Sequence, residues 1–322
     1  MRVTRRGRLF AVSLPASVRR PTDVDLSVRI GPLLLSNPVI AASGTFGYGV
    51  EFAHLVDLNS LGGIVVKGLS AQPLAGAPAP RLCETAGGML NAVGLQNIGV
   101  RAFVAEKLPE LRKYRTAVIA NVFGHTVAEY VEVIRVLEDA EGVAAYELNI
   151  SCPNVGHGGA EFGLDPGSTT EVVIAARHAT RRPLWVKLAP NADVKAIALA
   201  AETVGADALT VANTYPAMSI DPLSGRSRLG RRTGGLSGPA IKPLTLRLVY
   251  EVSRTVKLPV IAVGGIQTAG DAVEYLMAGA TAIQVGTAHF TDPRASESVV
   301  EGLRHCKELS LSTINGLRRQ IE

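Results

Sequence analysis

The chain has 322 residues, 47% hydrophobic and 19% charged, with 33 glycines and few aromatics, the balance of a globular α/β protein with room for one barrel-sized core or two smaller ones. No apolar run free of charge reaches the roughly 18–20 residues that span a bilayer, and three widely spaced cysteines (Cys83, Cys152, Cys306) argue against a disulfide framework or metal knuckle and for a reducing, cytoplasmic setting. The formal charge of +5 belongs to one end: six arginines (2, 5, 6, 8, 19 and 20) share a stretch without acids, and the remainder carries 27 basic against 28 acidic side chains, net −1, which argues against nucleic acid as a partner.

Residues 1–22 read as an Arg-rich disordered extension or the product of an upstream start codon. The apolar patch at 9–16 after a basic start is faintly like a secretion signal or an organelle transit segment, the alternative reading, but it is short and contains Ser13 and Pro15. Residues 23–322 read as a single domain. The stretch 24–35 alternates and turns at Gly31-Pro32, which predicts a small β-hairpin. Eight short apolar runs follow, at 38–42, 63–67, 117–121, 146–150, 184–188, 208–212, 260–263 and 282–285. Continuous rather than alternating apolarity suits strands buried on both faces of a parallel sheet. Helical patterns lie between them at 127–138, 169–180, 194–204, 241–256 and 268–278, and Gly205 and Gly279 stand where a helix stop is needed. Eight β units with helical crossovers predict a (β/α)8 TIM barrel with an N-terminal hairpin. The alternative, an open doubly wound sheet, lacks its glycine fingerprint after the first strand. Two segments, 68–100 and 214–239, are rich in proline and glycine and are expected to be long irregular loops at the carboxyl ends of the strands.

In such a barrel the chemistry sits at those strand ends. They carry Ser43-Gly44, Lys67-Gly68, Asn121, Asn149 with Cys152, Lys187, Ala212-Asn213-Thr214, Gly264-Gly265 and Gly286-Thr287. A lysine ending a buried strand must place its ammonium somewhere polar and wants an anion. Asparagine offers donor and acceptor together, which suits an amide-rich planar ring. Gly264-Gly265 and Gly286-Thr287, after the seventh and eighth strands, suit phosphate held by backbone N–H groups. Together they point to a phosphate-bearing cofactor low in the mouth and a small anionic substrate above it. Cys152 sits where a buried strand breaks at Pro153 into a glycine-rich loop, expected to act as a lid over 153–163. There a thiol could serve as an acid–base group or simply as a small buried residue. The six histidines form no metal-ligand spacing; His157 shares the Cys152 loop.

Four longer stretches carry a resemblance: Asn91-Ala92-Val93-Gly94-Leu95-Gln96-Asn97, Leu148-Asn149-Ile150-Ser151-Cys152-Pro153-Asn154, Thr233-Gly234-Gly235-Leu236-Ser237-Gly238-Pro239 and Val263-Gly264-Gly265-Ile266. With these, the chain resembles the class 1 dihydroorotate dehydrogenases, and the 1B type in particular. Cysteine rather than serine at 152 fits class 1, and the Ala-Val and Gln of the first stretch fit 1B. The resemblance implies one FMN per chain and oxidation of (S)-dihydroorotate to orotate in de novo pyrimidine (UMP) biosynthesis. Hydride would pass from C6 to flavin N5 and the C5 proton to Cys152. It further implies that Ser43, Lys67, Gly68, Asn121, Asn149, Lys187, Ala212, Gly238, Gly264, Gly265, Gly286 and Thr287 line FMN. Lys67, Asn91, Ala92, Val93, Gly94, Leu95, Asn149, Asn213 and Thr214 would hold the substrate. No metal site is implied in this chain. Electrons would pass to a second subunit carrying FAD and a [2Fe-2S] cluster and on to NAD+, with a homodimer at the heart of a heterotetramer, in the cytoplasm and without nucleic acid or membrane contacts. The Arg-rich extension, Tyr215-Pro216-Ala217 and His289 depart from the family pattern. Two other readings stay open: a related flavin barrel acting on another pyrimidine, similar to dihydropyrimidine dehydrogenase, and a cofactor-free barrel acting as a Schiff-base lyase through Lys187 or binding phosphate.

Overall fold

The computed structural model describes residues 25–151 and 162–306. The 1–22 extension, Cys152, His157 and nearly all of the expected lid lie outside them. Eight strands close a parallel barrel: β1 (Val39–Ala41), β2 (Gly63–Val65), β3 (Ala117–Val122), β4 (Ala145–Asn149), β5 (Leu184–Lys187), β6 (Ala208–Val211), β7 (Val260–Val263) and β8 (Ala282–Val285). Each pairs with its neighbours in sequence, and β8 returns to β1, as the alternation of strand and helix predicts.

Side chains alternate with a period of two along a strand, so the barrel interior is built in layers. The lowest is apolar: Ile40, Val65, Ile119, Ala145, Trp185, Ala208, Ile261 and Ala282 form one buried cluster. The predicted hairpin, Val28–Ile30 paired with Leu33–Leu35, closes that end by adding Ile30 and Leu35 to the cluster. Gly31 makes its turn at φ +56°, a left-handed value that glycine adopts without a Cβ clash. Two residues further along each strand stand Ala42, Lys67, Asn121, Glu147, Lys187, Thr210, Val263 and Gln284. This second layer is polar on six of its eight strands, so the barrel is sealed by hydrocarbon at one end and polar toward the other.

All five predicted helices are present, as Val127–Glu138, Pro166–Ala179, Val194–Thr203, Lys242–Thr255 and Ala269–Met277. The starts of all but Lys242–Thr255 are set by local side chains. Thr126, Asp165, Asp193 and Thr268 each accept a hydrogen bond from an N–H of the first turn, and Thr268 with Asp271 completes a reciprocal capping box. A helical stretch over 100–111 with a π-helical middle (Phe103–Lys107), and a further helix, Ala295–His305, add to them. No helix among the described residues is long and apolar enough to cross a membrane.

The two segments expected to be irregular are corrected by the structure. They contribute Leu82–Thr85 and Gly88–Asn91 from the first, and Tyr215–Ala217 and Gly234–Ser237 from the second, to one antiparallel four-stranded sheet. The central pairing joins segments far apart in sequence, with Gly235 opposite Asn91 and Ser237 opposite Met89. Close approach needs glycine: a Cβ on Gly88 would stand 2.1 Å from the Ser237 carbonyl oxygen.

Candidate active site

Between the carboxyl ends of the barrel strands and this sheet lies a cavity of about 1180 Å³, counted out to its open mouth. Its floor and walls come from every strand. Ser43 and Gly44 follow β1, Lys67 and Gly68 follow β2, and Asn121, Asn149 and Lys187 stand on β3, β4 and β5. Ala212, Asn213 and Thr214 follow β6, Gly264 and Gly265 follow β7, and Gly286 and Thr287 follow β8. The segments that form the sheet add Asn91, Val93, Gly94, Leu95 and Gly238. Ala92 is the exception among the described candidates. The alternation that turns Asn91 toward the cavity turns Ala92 away, into a small buried cluster with Cys83, Leu90 and Leu229.

The strand register explains why the amides meet. Asn121 pairs with Glu147, and Asn149 with Lys187. The Asn149 amide donates to Asn121 Oδ1 at 3.5 Å, and the Asn213 amide donates to Asn149 Oδ1 at 3.4 Å and to Ser151 Oγ at 2.9 Å. Ser151 in turn donates to Asn149 Oδ1 at 3.2 Å. The residue preceding Cys152 is thus tied into the same network. The backbone of Asn149 is fixed from outside, because its carbonyl accepts from the Tyr130 hydroxyl at 2.9 Å.

Lys187 is 6% exposed, and its Nζ stands 3.7 Å from Glu147 Oε1. Glu147, fully buried beneath the floor, escaped the sequence reading, although an acid inside a continuous apolar strand is itself a signal. Ser237 also escaped it; its Oγ accepts from Thr287 Oγ1 at 2.8 Å and so ties the overlying sheet to the loop after β8. Of the two described cysteines, Cys83 packs inside the sheet and Cys306 caps the helix Ala295–His305.

The loops after β7 and β8 have the chemistry a phosphate needs. Gly265 lies at φ +68°, and a Cβ there would stand 2.8 Å from Lys242 Cβ and 2.9 Å from the Gly238 carbonyl. The Gly264 carbonyl is held by the Tyr275 hydroxyl at 2.6 Å. No backbone carbonyl among the described residues accepts from the N–H of Gly265, Gly286 or Thr287, which leaves a set of donors for an anion. Gly44 lies at φ +90°, and a Cβ placed on it would meet nothing within 4 Å, so the floor keeps open room beside β1. A planar ring system with a phosphate tail fits this donor set: amides and two lysines for the ring and its substituents, glycine N–H groups for the phosphate.

Comparison with known proteins agrees with this geometry. Residues 25–306 match the family model described as Dihydroorotate dehydrogenase. A Solibacter usitatus protein, whose name assigns it provisionally to dihydroorotate dehydrogenase A (fumarate), is 58% identical over 86% of this chain and 92% of its own length. The Trichlorobacter lovleyi protein named dihydroorotate dehydrogenase B (NAD(+)), catalytic subunit, is 53% identical over 92% of this chain and 98% of its own. The protein of the same name from Geotalea uraniireducens is 54% identical over 87% and 92%. A crystal structure of DHODH from Eimeria tenella in complex with ferulenol superposes with a TM-score of 0.77 over 94% of this chain and 90% of that one; at 22% identity it supports the fold. A family model matched across the whole described barrel, with relatives above half identity along it, places the chain in the dihydroorotate dehydrogenase family.

Proposed function

We propose that the chain oxidises (S)-dihydroorotate to orotate, with FMN held in the barrel mouth and Cys152 as the base. The observation that carries this reading is the meeting of Lys67 and Lys187 with Asn91, Asn121, Asn149 and Asn213 in one cavity, which the glycine loops after β7 and β8 also line. When bound there, FMN would supply the acceptor for the hydride that the substrate loses. The residues around it would be Ser43, Lys67, Gly68, Asn121, Asn149, Lys187, Ala212 and Gly238, with Gly264, Gly265, Gly286 and Thr287 on the phosphate. Lys67, Asn91, Val93, Gly94, Leu95, Asn149, Asn213 and Thr214 would hold the substrate: an ammonium and amides for its carboxylate and amides for its ring. Ala92, facing away, leaves that set.

Oxidising a saturated C–C bond next to a carbonyl requires a proton to leave as the hydride does. A thiol is suited to take it near neutral pH, because cysteine titrates near about 8.5 and its surroundings shift that value. Replacing it with alanine removes the base and leaves the wall intact. Cys152→Ala should therefore keep its flavin and oxidise dihydroorotate on the order of 10²-fold more slowly or worse. Wild-type turnover in that variant would take Cys152 out of the mechanism. A flavin spectrum of the purified protein and steady-state assays with dihydroorotate and dihydrouracil test the reading itself. A colourless protein that takes up no FMN, or turnover of dihydrouracil alone, would reject it.

For the electron acceptor we favour NAD+, reached through a partner subunit bearing FAD and a [2Fe-2S] cluster. The sequence Asn91-Ala92-Val93-Gly94-Leu95-Gln96-Asn97 and the names of the Trichlorobacter and Geotalea relatives support it. Fumarate is the second reading, favoured by the name of the Solibacter relative.

A further inference from the structure

The polar layer of the barrel interior contains one acid, Glu147, and every polar neighbour it touches donates to it. Its Oε1 accepts from Asn121 Nδ2 at 2.8 Å and lies 3.7 Å from Lys187 Nζ. Its Oε2 accepts from Gln284 Nε2 at 2.6 Å and from Thr210 Oγ1 at 2.8 Å. These partners come from β3, β5, β8 and β6, so strands from around the whole barrel converge on one carboxylate. Glu147, Thr210 and Gln284 are all fully buried. Asn121 and Lys187, in contrast, line the cavity. A carboxylate removed from water persists only where donors and a cation compensate it. The cluster therefore holds a fixed negative charge directly below the cavity floor, on the far side of the Lys187 ammonium.

We propose that Glu147 is a positioning residue for Lys187 that sets how strongly the site holds electrons on the bound flavin. The inference rests on the reading of the cavity as an FMN site. Reduction places negative charge on a flavin, and a cation beside the ring stabilises it. A lone lysine would favour the reduced cofactor strongly. A lysine backed by a carboxylate presents a much smaller net charge, and its flexible stem is held to one direction. The reduced cofactor must give its electrons up again in every cycle, so a damped lysine suits turnover better than a bare one. No other acid shares this layer of the barrel, so removing this one changes the local charge by a full unit.

The midpoint potential of bound FMN tests the idea, because a purely structural residue would leave it unmoved. Glu147→Gln keeps the size of the side chain, and the Thr210 hydroxyl can donate or accept as needed. The protein is reconstituted with FMN and reduced stepwise against a reference dye. The expected result is a higher potential, corresponding to at least a ~10-fold tighter relative hold on reduced flavin, ~30 mV for a two-electron couple. Glu147→Asp, which keeps the charge but draws it back by one methylene, should lie between wild type and Glu147→Gln. A potential at or below that of wild type in Glu147→Gln overturns the proposal. If that variant does not take up FMN, the same comparison is made with Glu147→Asp. Wild-type protein that binds no FMN fails earlier and differently: it rejects the cofactor reading on which the proposal rests.

Discussion

The imidazole of His289 is 3% exposed, with its ring centroid 4.7 Å from that of Phe46 and its Nε2 2.8 Å from Ser296 Oγ. Nδ1 has no hydrogen-bond partner among the described residues. Burial therefore opposes the charged form and lowers the pKa from the ordinary 6.5 to about 4. Between those two values the unfolded chain binds a proton that the folded protein refuses. The contribution is present in full above pH 6.5 and is lost as the pH falls toward 4, by roughly 3 kcal/mol at most. Urea unfolding at pH 7.5 and 4.5 should show this loss in the wild type. In His289→Asn, which is less stable at the higher pH because it leaves a gap beside Phe46, the fall between the two pH values should be smaller. An equal fall in both proteins would assign the acid sensitivity elsewhere. Single residues of this kind were unevenly legible. Lys67 and Lys187 could be read as functional because a charge that ends a buried strand needs a purpose. Glu147 could not, because its meaning depends on Asn121, Thr210 and Gln284, which arrive from three other strands.

At the scale of elements, the barrel strands were readable because each is a local run of apolar residues between turn signals. The sheet over the mouth was not. Its strands are three or four residues long, and its central pair joins Gly88–Asn91 to Gly234–Ser237 across a separation that no local pattern records. The last described helix, Ala295–His305, was missed although its buried Val299, Val300 and Leu303 stand at helical spacing among Ser, Glu and Arg. The sheet matters for function because it carries Asn91 and Gly238 to the cavity. Gly235 is the position where this can be tested. The Asn91 amide donates to its carbonyl at 3.1 Å, and a Cβ placed on it would stand 2.0 Å from Thr214 Oγ1. Gly235→Ala must displace Thr214 or spread the strand pair, a strain of about 1–3 kcal/mol. Both neighbours belong to the proposed substrate set, whereas the glycine loops after β7 and β8 are untouched. We expect the KM for dihydroorotate to rise tenfold or more while FMN content stays at the wild-type level. An unchanged KM would show that the sheet covers the cavity without shaping its substrate contacts.

At the scale of the whole molecule, the barrel has two unlike ends. Trp185 and its apolar layer, closed off by the Val28–Leu35 hairpin, seal one of them. Electrons taken from a substrate in the cavity must therefore leave by way of the mouth or its rim. The chain brings little equipment for carrying them further. It has three cysteines, one short of the four thiolates that ordinarily hold a [2Fe-2S] cluster, and they lie far apart in sequence. An acceptor must then be either a small molecule that enters the mouth after the product leaves or a second protein that docks against the rim and supplies its own redox centres. The two routes make opposite demands on the isolated chain. If the acceptor is a small oxidant such as fumarate, the purified FMN protein should complete its cycle unaided. If a partner intervenes, dihydroorotate should reduce the bound flavin once and turnover with NAD+ should stop there. We expect the second behaviour: a stoichiometric bleaching of the flavin by dihydroorotate, negligible NADH formation by the chain alone, and catalytic NADH formation once a subunit bearing FAD and an iron–sulfur cluster is added. Stopped-flow reduction followed by mixing with each acceptor measures both steps in one experiment. Re-oxidation of the chain alone by fumarate, at a rate matching its reduction by dihydroorotate, would overturn the NAD+ assignment and leave the chemistry at the substrate unchanged.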